Sequence, residues 1–117
     1  ALYDRKKDIV ESLLYVEKAL ELEPDFEEAL FTLGVFAIKE KKYDEAVKNF
    51  EKVLSLNPRN YWAYTNLALL YATLKEWRKC KEVYETALEH GHPERKEILG
   101  QIKALEEKMT TESQKNR

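Results

Sequence analysis

Residues 27–60 read EEALFTLGVFAIKEKKYDEAVKNFEKVLSLNPRN, and residues 61–94 read YWAYTNLALLYATLKEWRKCKEVYETALEHGHPE. Laid one over the other, Leu30 meets Tyr64, Gly34 meets Ala68, Ala46 meets Cys80, Phe50 meets Tyr84, Val53 meets Ala87 and Leu54 meets Leu88, each pair 34 residues apart. Small residues stay small and apolar or aromatic residues stay so. The register also runs backwards: Tyr3, Ser12, Val16, Ala19, Leu20, Leu22 and Pro24 precede Ala37, Ala46, Phe50, Val53, Leu54, Leu56 and Pro58 by the same interval. It slips once, because Pro58 to Pro93 is 35, which places a one-residue insertion in the turn His90-Gly91-His92. Self-similarity at a fixed period of this length marks a repeat architecture, in which each unit leans on its neighbours and displays a surface instead of enclosing a reaction chamber.

Each unit reads as two helices. Ile9, Leu13, Val16 and Leu20 are spaced four, three and four apart, which is helical, and residues 8–22 form the first helix. Pro24 lacks an amide donor and pushes the residue before it out of the helical basin, so that helix stops near Glu23. Asp25 followed by Glu28 resembles a capping box, and a second helix is predicted over residues 26–40. Lys41-Lys42 makes a polar turn into a return helix over 44–57, closed by Asn57-Pro58-Arg59-Asn60. The pair then recurs over 60–74 and 78–90, joined at Lys75-Glu76. Gly91 suits a helix C-terminus, where it adopts a left-handed conformation without penalty. A last helix is predicted from Glu94 to Met109 through Ile98, Leu99, Ile102 and Leu105, and the polar residues 111–117 are predicted to be a disordered tail.

Composition agrees with a helical chain: 36% of the residues are charged, and there are only three Gly and three Pro in 117. At this length a single domain can bury a core and fold alone. The net charge of −2 is spread evenly, with 10 Lys/Arg against 13 Asp/Glu in residues 1–60 and 10 against 9 in residues 61–117. With no basic stripe, nucleic acid and anionic lipid are not expected partners. No apolar run is long enough to span a bilayer, so membrane insertion is not expected either. A single cysteine, Cys80, cannot form an internal disulfide, and a reducing, cytoplasmic setting is expected. The chain starts without Met and partway through a repeat, which reads as a fragment of something longer.

The two full units resemble the tetratricopeptide repeat, a helix-turn-helix module of 34 residues. Leu30, Leu33-Gly34, Tyr43, Ala46, Phe50, Val53 and Pro58 carry the resemblance in the first. Tyr64, Leu67-Ala68, Tyr71, Trp77, Cys80, Tyr84 and Ala87 carry it in the second. Ala37, where the family usually has a large aromatic, and Cys80, where it usually has Ala, are departures that still pack. The resemblance implies an all-α fold in which antiparallel helix-turn-helix repeats stack as a right-handed α-solenoid. Its parts are a partial repeat over 1–24, repeats over 27–60 and 61–94, and a C-terminal capping helix over 95–110. It further implies a non-catalytic protein-interaction module that holds a partner peptide or helix in an apolar concave groove.

The groove residues follow from an excess of apolar surface. Leu30, Leu33, Gly34 and Ala37 form the stripe that packing within the repeat requires; Phe31, Val35 and Ile38, with Thr32 beside them, form a second. A surface helix needs only one. The matching stripe on residues 60–74 holds Trp62, Thr65, Asn66, Leu69 and Ala72. The resemblance assigns these positions to the groove; the competing reading is that neighbouring helices or the helix over 94–110 cover them. Some arrays of the family clamp a C-terminal carboxylate with Lys, Asn and Arg donors. Asn66 matches one such position, but Phe31 and Val35 stand where two other donors belong. A further alternative is self-association through the open N-terminal repeat, yielding a homo-oligomer.

No catalytic residue, metal or cofactor is expected. His90 and His92 flank Gly91 and lack a third ligand at a recognisable spacing, so they read as solvated turn residues. Cys80 shares a column with Ser12 and Ala46 and reads as packing. Tyr3, Tyr15, Tyr43, Tyr61, Tyr64, Tyr71 and Tyr84 follow the helical repeat and read as core, and no glycine-rich phosphate loop is present.

Overall fold

The computed structural model describes residues 5–115, with side chains from Val10 to Gln114. It is all-α: six helices, and no strand among the described residues. They are α1 (Arg5–Leu22), α2 (Glu27–Lys39), α3 (Tyr43–Leu56), α4 (Tyr61–Thr73), α5 (Trp77–Glu89) and α6 (Arg95–Lys115). The chain divides into two compact units at Leu56 and Asn57, each built of antiparallel helices joined by tight turns. The register residue Tyr3 lies outside the described residues.

In the first unit α2 packs on both α1 and α3. Ala46, Phe50 and Val53 on α3 have no exposed surface and close against Ala29, Leu30, Gly34 and Ala37 on α2. Gly34 matters because of Phe50: a Cβ at position 34 would lie 2.8 Å from both Cε2 and Cζ of that ring. A second ring, Phe31, stands edge-to-face with Phe50, centroids 5.3 Å apart at 80°, a favoured aromatic geometry. In the second unit Ala63, Tyr64, Leu67, Ala68 and Tyr71 on α4 are buried with Cys80 and Ala87 on α5, and Ile98 and Leu105 on α6.

Three helices end in the same six-residue closure. After α2 the Lys42 amide donates to the Ala37 carbonyl at 2.8 Å and the Lys41 amide to that of Ile38 at 3.0 Å. Glu76 and Lys75 repeat this on Tyr71 and Ala72, and His92 and Gly91 on Ala87 and Leu88. This Schellman arrangement needs a left-handed residue at its centre. Gly91 fills that role as predicted, with φ 81°; Lys41 and Lys75 fill it in the other two turns at 61° and 59°. The predicted polar turns are therefore present, and two of them place a non-glycine residue in a conformation that disfavours a Cβ.

Helix starts depart from the reading in one respect. The predicted capping box fails: the N-cap of α2 is Phe26, whose side chain makes no capping hydrogen bond. Asp25 lies one residue too early and its carboxylate stands 3.8 Å from Lys52 Nζ. The dipole of α2 is met instead by Glu27 and Glu28 in its first turn. Asn60 does cap α4, accepting from the Ala63 amide at 3.2 Å.

The tail expected to be disordered is helical as far as Lys115. Hydroxyls of Thr110 and Thr111 bond back to the carbonyls of Glu106 and Glu107 at 2.9 and 3.0 Å. More important are ties to α5 that composition cannot show. The Trp77 indole N–H donates to Glu112 at 3.2 Å, Lys108 Nζ sits 4.1 Å above the same ring, and Lys81 pairs with Glu106 at 3.3 Å.

Candidate interaction surfaces

The residues assigned to a groove lie on α2 and α4, and the two helices treat them differently. On α2, Phe31, Val35 and Ile38 form one half-buried stripe, with Thr32 beside it donating to the Glu28 carbonyl at 2.8 Å. Phe31 is committed inward by its contact with Phe50. On α4 the stripe is open: Trp62 is 75% exposed and Leu69 is 58% exposed. Between them Thr65 and Asn66 are half-buried, and Ala72 follows one turn later. Thr65 and Asn66 each turn a donor back to the helix, on Tyr61 O at 3.4 Å and on Trp62 O at 2.9 Å. These internal bonds hold the polar side chains against the helix, so Trp62 and Leu69 stand proud of it.

The reading in which the terminal helix hides α4 is not what the second unit shows. α6 packs on α5, where Trp77, Lys81 and Tyr84 lie, and leaves Trp62 and Leu69 open to solvent.

The two histidines are not alike. His90 is exposed, its ring 6.4 Å from Tyr64, while its carbonyl accepts from the Tyr61 hydroxyl at 2.9 Å. His92 corrects the expectation of a solvated turn residue: it is buried, packs 5.0 Å from the Tyr61 ring, and its Nδ1 accepts from the Glu94 amide at 3.0 Å, ordering the approach to α6. Among the described residues no three His, Cys, Asp or Glu side chains gather where they would hold a metal. The tyrosines also divide. Tyr64 and Tyr71 are core, Tyr43, Tyr61 and Tyr84 half-buried, and Tyr15, at 83% exposed, is surface, contrary to the reading.

Cys80 is packing, as its column implied. Its thiol is buried and lies 3.3 Å from the Ala68 carbonyl. Burial raises its pKa above the ordinary 9.0. Burial also raises Tyr64 and Tyr84 above 10.0, helped in Tyr64 by Tyr61 and Glu89 and in Tyr84 by Cys80. The folded chain thus keeps protons that the unfolded chain releases, so stability should decline as pH rises through 9 to 10 and beyond. A second consequence is that Cys80 should resist iodoacetamide in native buffer at pH 8 and react readily in denaturing urea, as thiolate alkylation followed by mass spectrometry would read. Rapid native labelling would mean that the α4–α5 packing opens freely.

Among the described residues no helix is long and apolar enough to cross a membrane. The model of the tetratricopeptide repeat matches residues 37–102. The TPR repeat-containing protein MJ0941 of Methanocaldococcus jannaschii is 39% identical over 64 residues, 55% of this chain and 19% of that protein. A structure of MamA superposes with a TM-score of 0.74 at 23% identity, over 91% of this chain and 57% of that one. The first TPR of Spaghetti (RPAP3), solved with an HSP90 peptide, superposes with a TM-score of 0.71 at 17% identity, over 91% of this chain and 85% of its own. The chain spans about a fifth of the MJ0941 protein's length.

Proposed function

Because the chain belongs to the tetratricopeptide repeat family, we propose that it is a non-catalytic protein-interaction module, and that the open stripe of α4 is where it grips a partner peptide or helix. The observation that carries this reading is the exposure of Trp62 together with Leu69, seven residues and two turns apart on one helix face. Exposed large aromatics are enriched among residues that dominate binding energy, because a ring brings much apolar area at little conformational cost. The half-buried stripe of α2, with Val35 and Ile38, is the second surface we assign to partner contact. The Spaghetti domain binds its HSP90 peptide on the same fold, which supports a peptide as the ligand class.

A carboxylate clamp is the weaker alternative. Asn66 is in place, but Phe31 is apolar and packed on Phe50 and Val35 is apolar, so two donors of a charge-assisted grip are missing. An apolar anchor inserted beside Trp62 suits the residues better.

Peptides selected from a random library against the chain test the reading. Trp62→Ala should weaken the selected peptides by about 2 kcal/mol, roughly thirtyfold in Kd, while helical circular dichroism stays unchanged. Val35→Glu, made by itself, should weaken those selected peptides that contact the α2 stripe. Peptides that bind both variants as they bind the parent chain would place the site elsewhere.

A further inference from the structure

We propose that the first unit holds a further binding site, a notch between α1, α2 and α3 that takes the aromatic side chain of a basic partner peptide. The starting point is a break in the repeat. On α4 the ring of Tyr71 is buried, and Lys79 Nζ from α5 lies 5.7 Å from its centroid. One repeat earlier, 34 residues back, the same two positions hold Ala37 and Glu45. The ring is gone and the cation has become a carboxylate. Where the ring is missing a notch of about 290 Å³ opens beside Ala37. An apolar cavity of about 150 Å³ is enough to hold benzene, so the space admits a six-membered ring.

The lining divides by polarity. Leu13 of α1 and Leu33 and Phe36 of α2 are half-buried and give the notch apolar walls around the buried Ala37. Glu17, Glu40, Lys42 and Glu45 are exposed and form its mouth. The one ammonium among them is engaged, with Lys42 Nζ 3.2 Å from Glu40. Its pKa is raised above the ordinary 10.5 by the hydrogen bond to Glu40, by the charge of that carboxylate and by the charge of Glu45. Among the described residues neither Glu17 nor Glu45 closes an ion pair. Lys39 stands nearby, 5.7 Å from the centroid of Phe36, and three carboxylates still outnumber two ammoniums. A ring flanked by lysines meets both demands, because it fills the apolar bottom and brings cations to the acidic mouth, as Tyr71 and Lys79 do within the second unit. Asn49, half-buried in the wall where the second repeat has Val83, offers its amide to a phenol hydroxyl and so favours tyrosine. The notch belongs to the first unit and the Trp62 and Leu69 stripe to the second, so Trp62→Ala should leave this site intact.

The test is an amide chemical-shift titration of the 117-residue chain with the end-blocked peptide Gly-Lys-Tyr-Lys-Gly, in low salt because the charge match is screened otherwise. A single ring in an open notch binds weakly, so the titration runs to about 20 mM. The expected result is saturable shifts at the amides of Leu33, Ala37 and Asn49. Replacing the central tyrosine of the peptide by alanine, or both lysines by glutamate, should each weaken binding by about tenfold or more. Glu45→Lys, an exposed change that installs the residue of the second repeat, should weaken it about fivefold. Ala37→Tyr should fill the notch and abolish binding with circular dichroism unchanged; Glu45→Lys and the altered peptides decide the question whether or not that variant folds. A parent chain without saturable shifts at these amides overturns the proposal. So does binding that is indifferent to Glu45→Lys and to the charge-reversed peptide. Binding lost in Trp62→Ala but kept in Ala37→Tyr overturns it as well, and assigns the peptide to the α4 stripe.

Discussion

Phe50→Ala should lower the free energy of unfolding by about 3–5 kcal/mol. The ring is fully buried, fills the space above Gly34, and makes a T-shaped contact with Phe31. Its removal forfeits the transfer energy of an aromatic side chain and leaves a hole that Gly34, with no side chain, cannot fill. Against a total stability of about 5–15 kcal/mol for a natural domain, that loss is a large fraction. In a repeat protein stability is the sum of local terms, so the damage should concentrate in α2 and α3. Urea titration followed by circular dichroism gives the magnitude, and amide hydrogen exchange gives the location. A loss below about 1 kcal/mol, or uniform loss of protection, would contradict the packing described.

Gly34→Ala should destabilise the chain too, by about 1–3 kcal/mol, even though alanine is the better helix former by about 1 kcal/mol. The overlap decides the sign, since the new Cβ would lie 2.8 Å from two ring carbons of Phe50 and 3.1 Å from a third. Those atoms belong to a rigid ring enclosed on all sides, so neither can yield cheaply. The effect should therefore depend on the ring. In a Phe50→Leu background, Gly34→Ala should cost less, and a double-mutant cycle should show coupling of about 0.5–3 kcal/mol. Additive behaviour would mean that the two residues do not meet. The second unit supplies a natural counterpart: Ala68 and Tyr84 occupy these register positions, and Tyr84 is only half-buried.

Much of this fold is legible along the chain because its determinants are local. Pro24 and Pro58 stop helices by their own covalent geometry, and Gly91 closes a turn that a Cβ would strain. Four of the six helices, α2 to α5, fall within two residues of the predicted bounds at both ends, and α1 ends at Leu22 as predicted. The exception, α6, runs on because Trp77, far away in sequence, supplies Glu112 and Lys108 with partners. Asp25 misled for the opposite reason: a capping motif needs its side chain at the N-cap, and the chain enters α2 one residue later, at Phe26.

The candidate surfaces were less legible. The repeat register puts Phe31 and Trp62 on corresponding apolar stripes of their helices, and polarity alone treats them alike. Only packing separates them, since Phe31 finds Phe50 within reach and Trp62 finds solvent. His92 shows the same limit, because a turn histidine becomes a buried acceptor once Tyr61 and the Glu94 amide close around it.

The amino-acid order alone determined the helical class, the 34-residue register, the helix ends and the small residue that lets two helices meet, because periodicity and backbone restriction act within a few residues. Tertiary structure decided which apolar side chains are hidden, which are left in water, and how far the last helix extends. Burial depends on neighbours brought in from distant positions, and no local pattern records them.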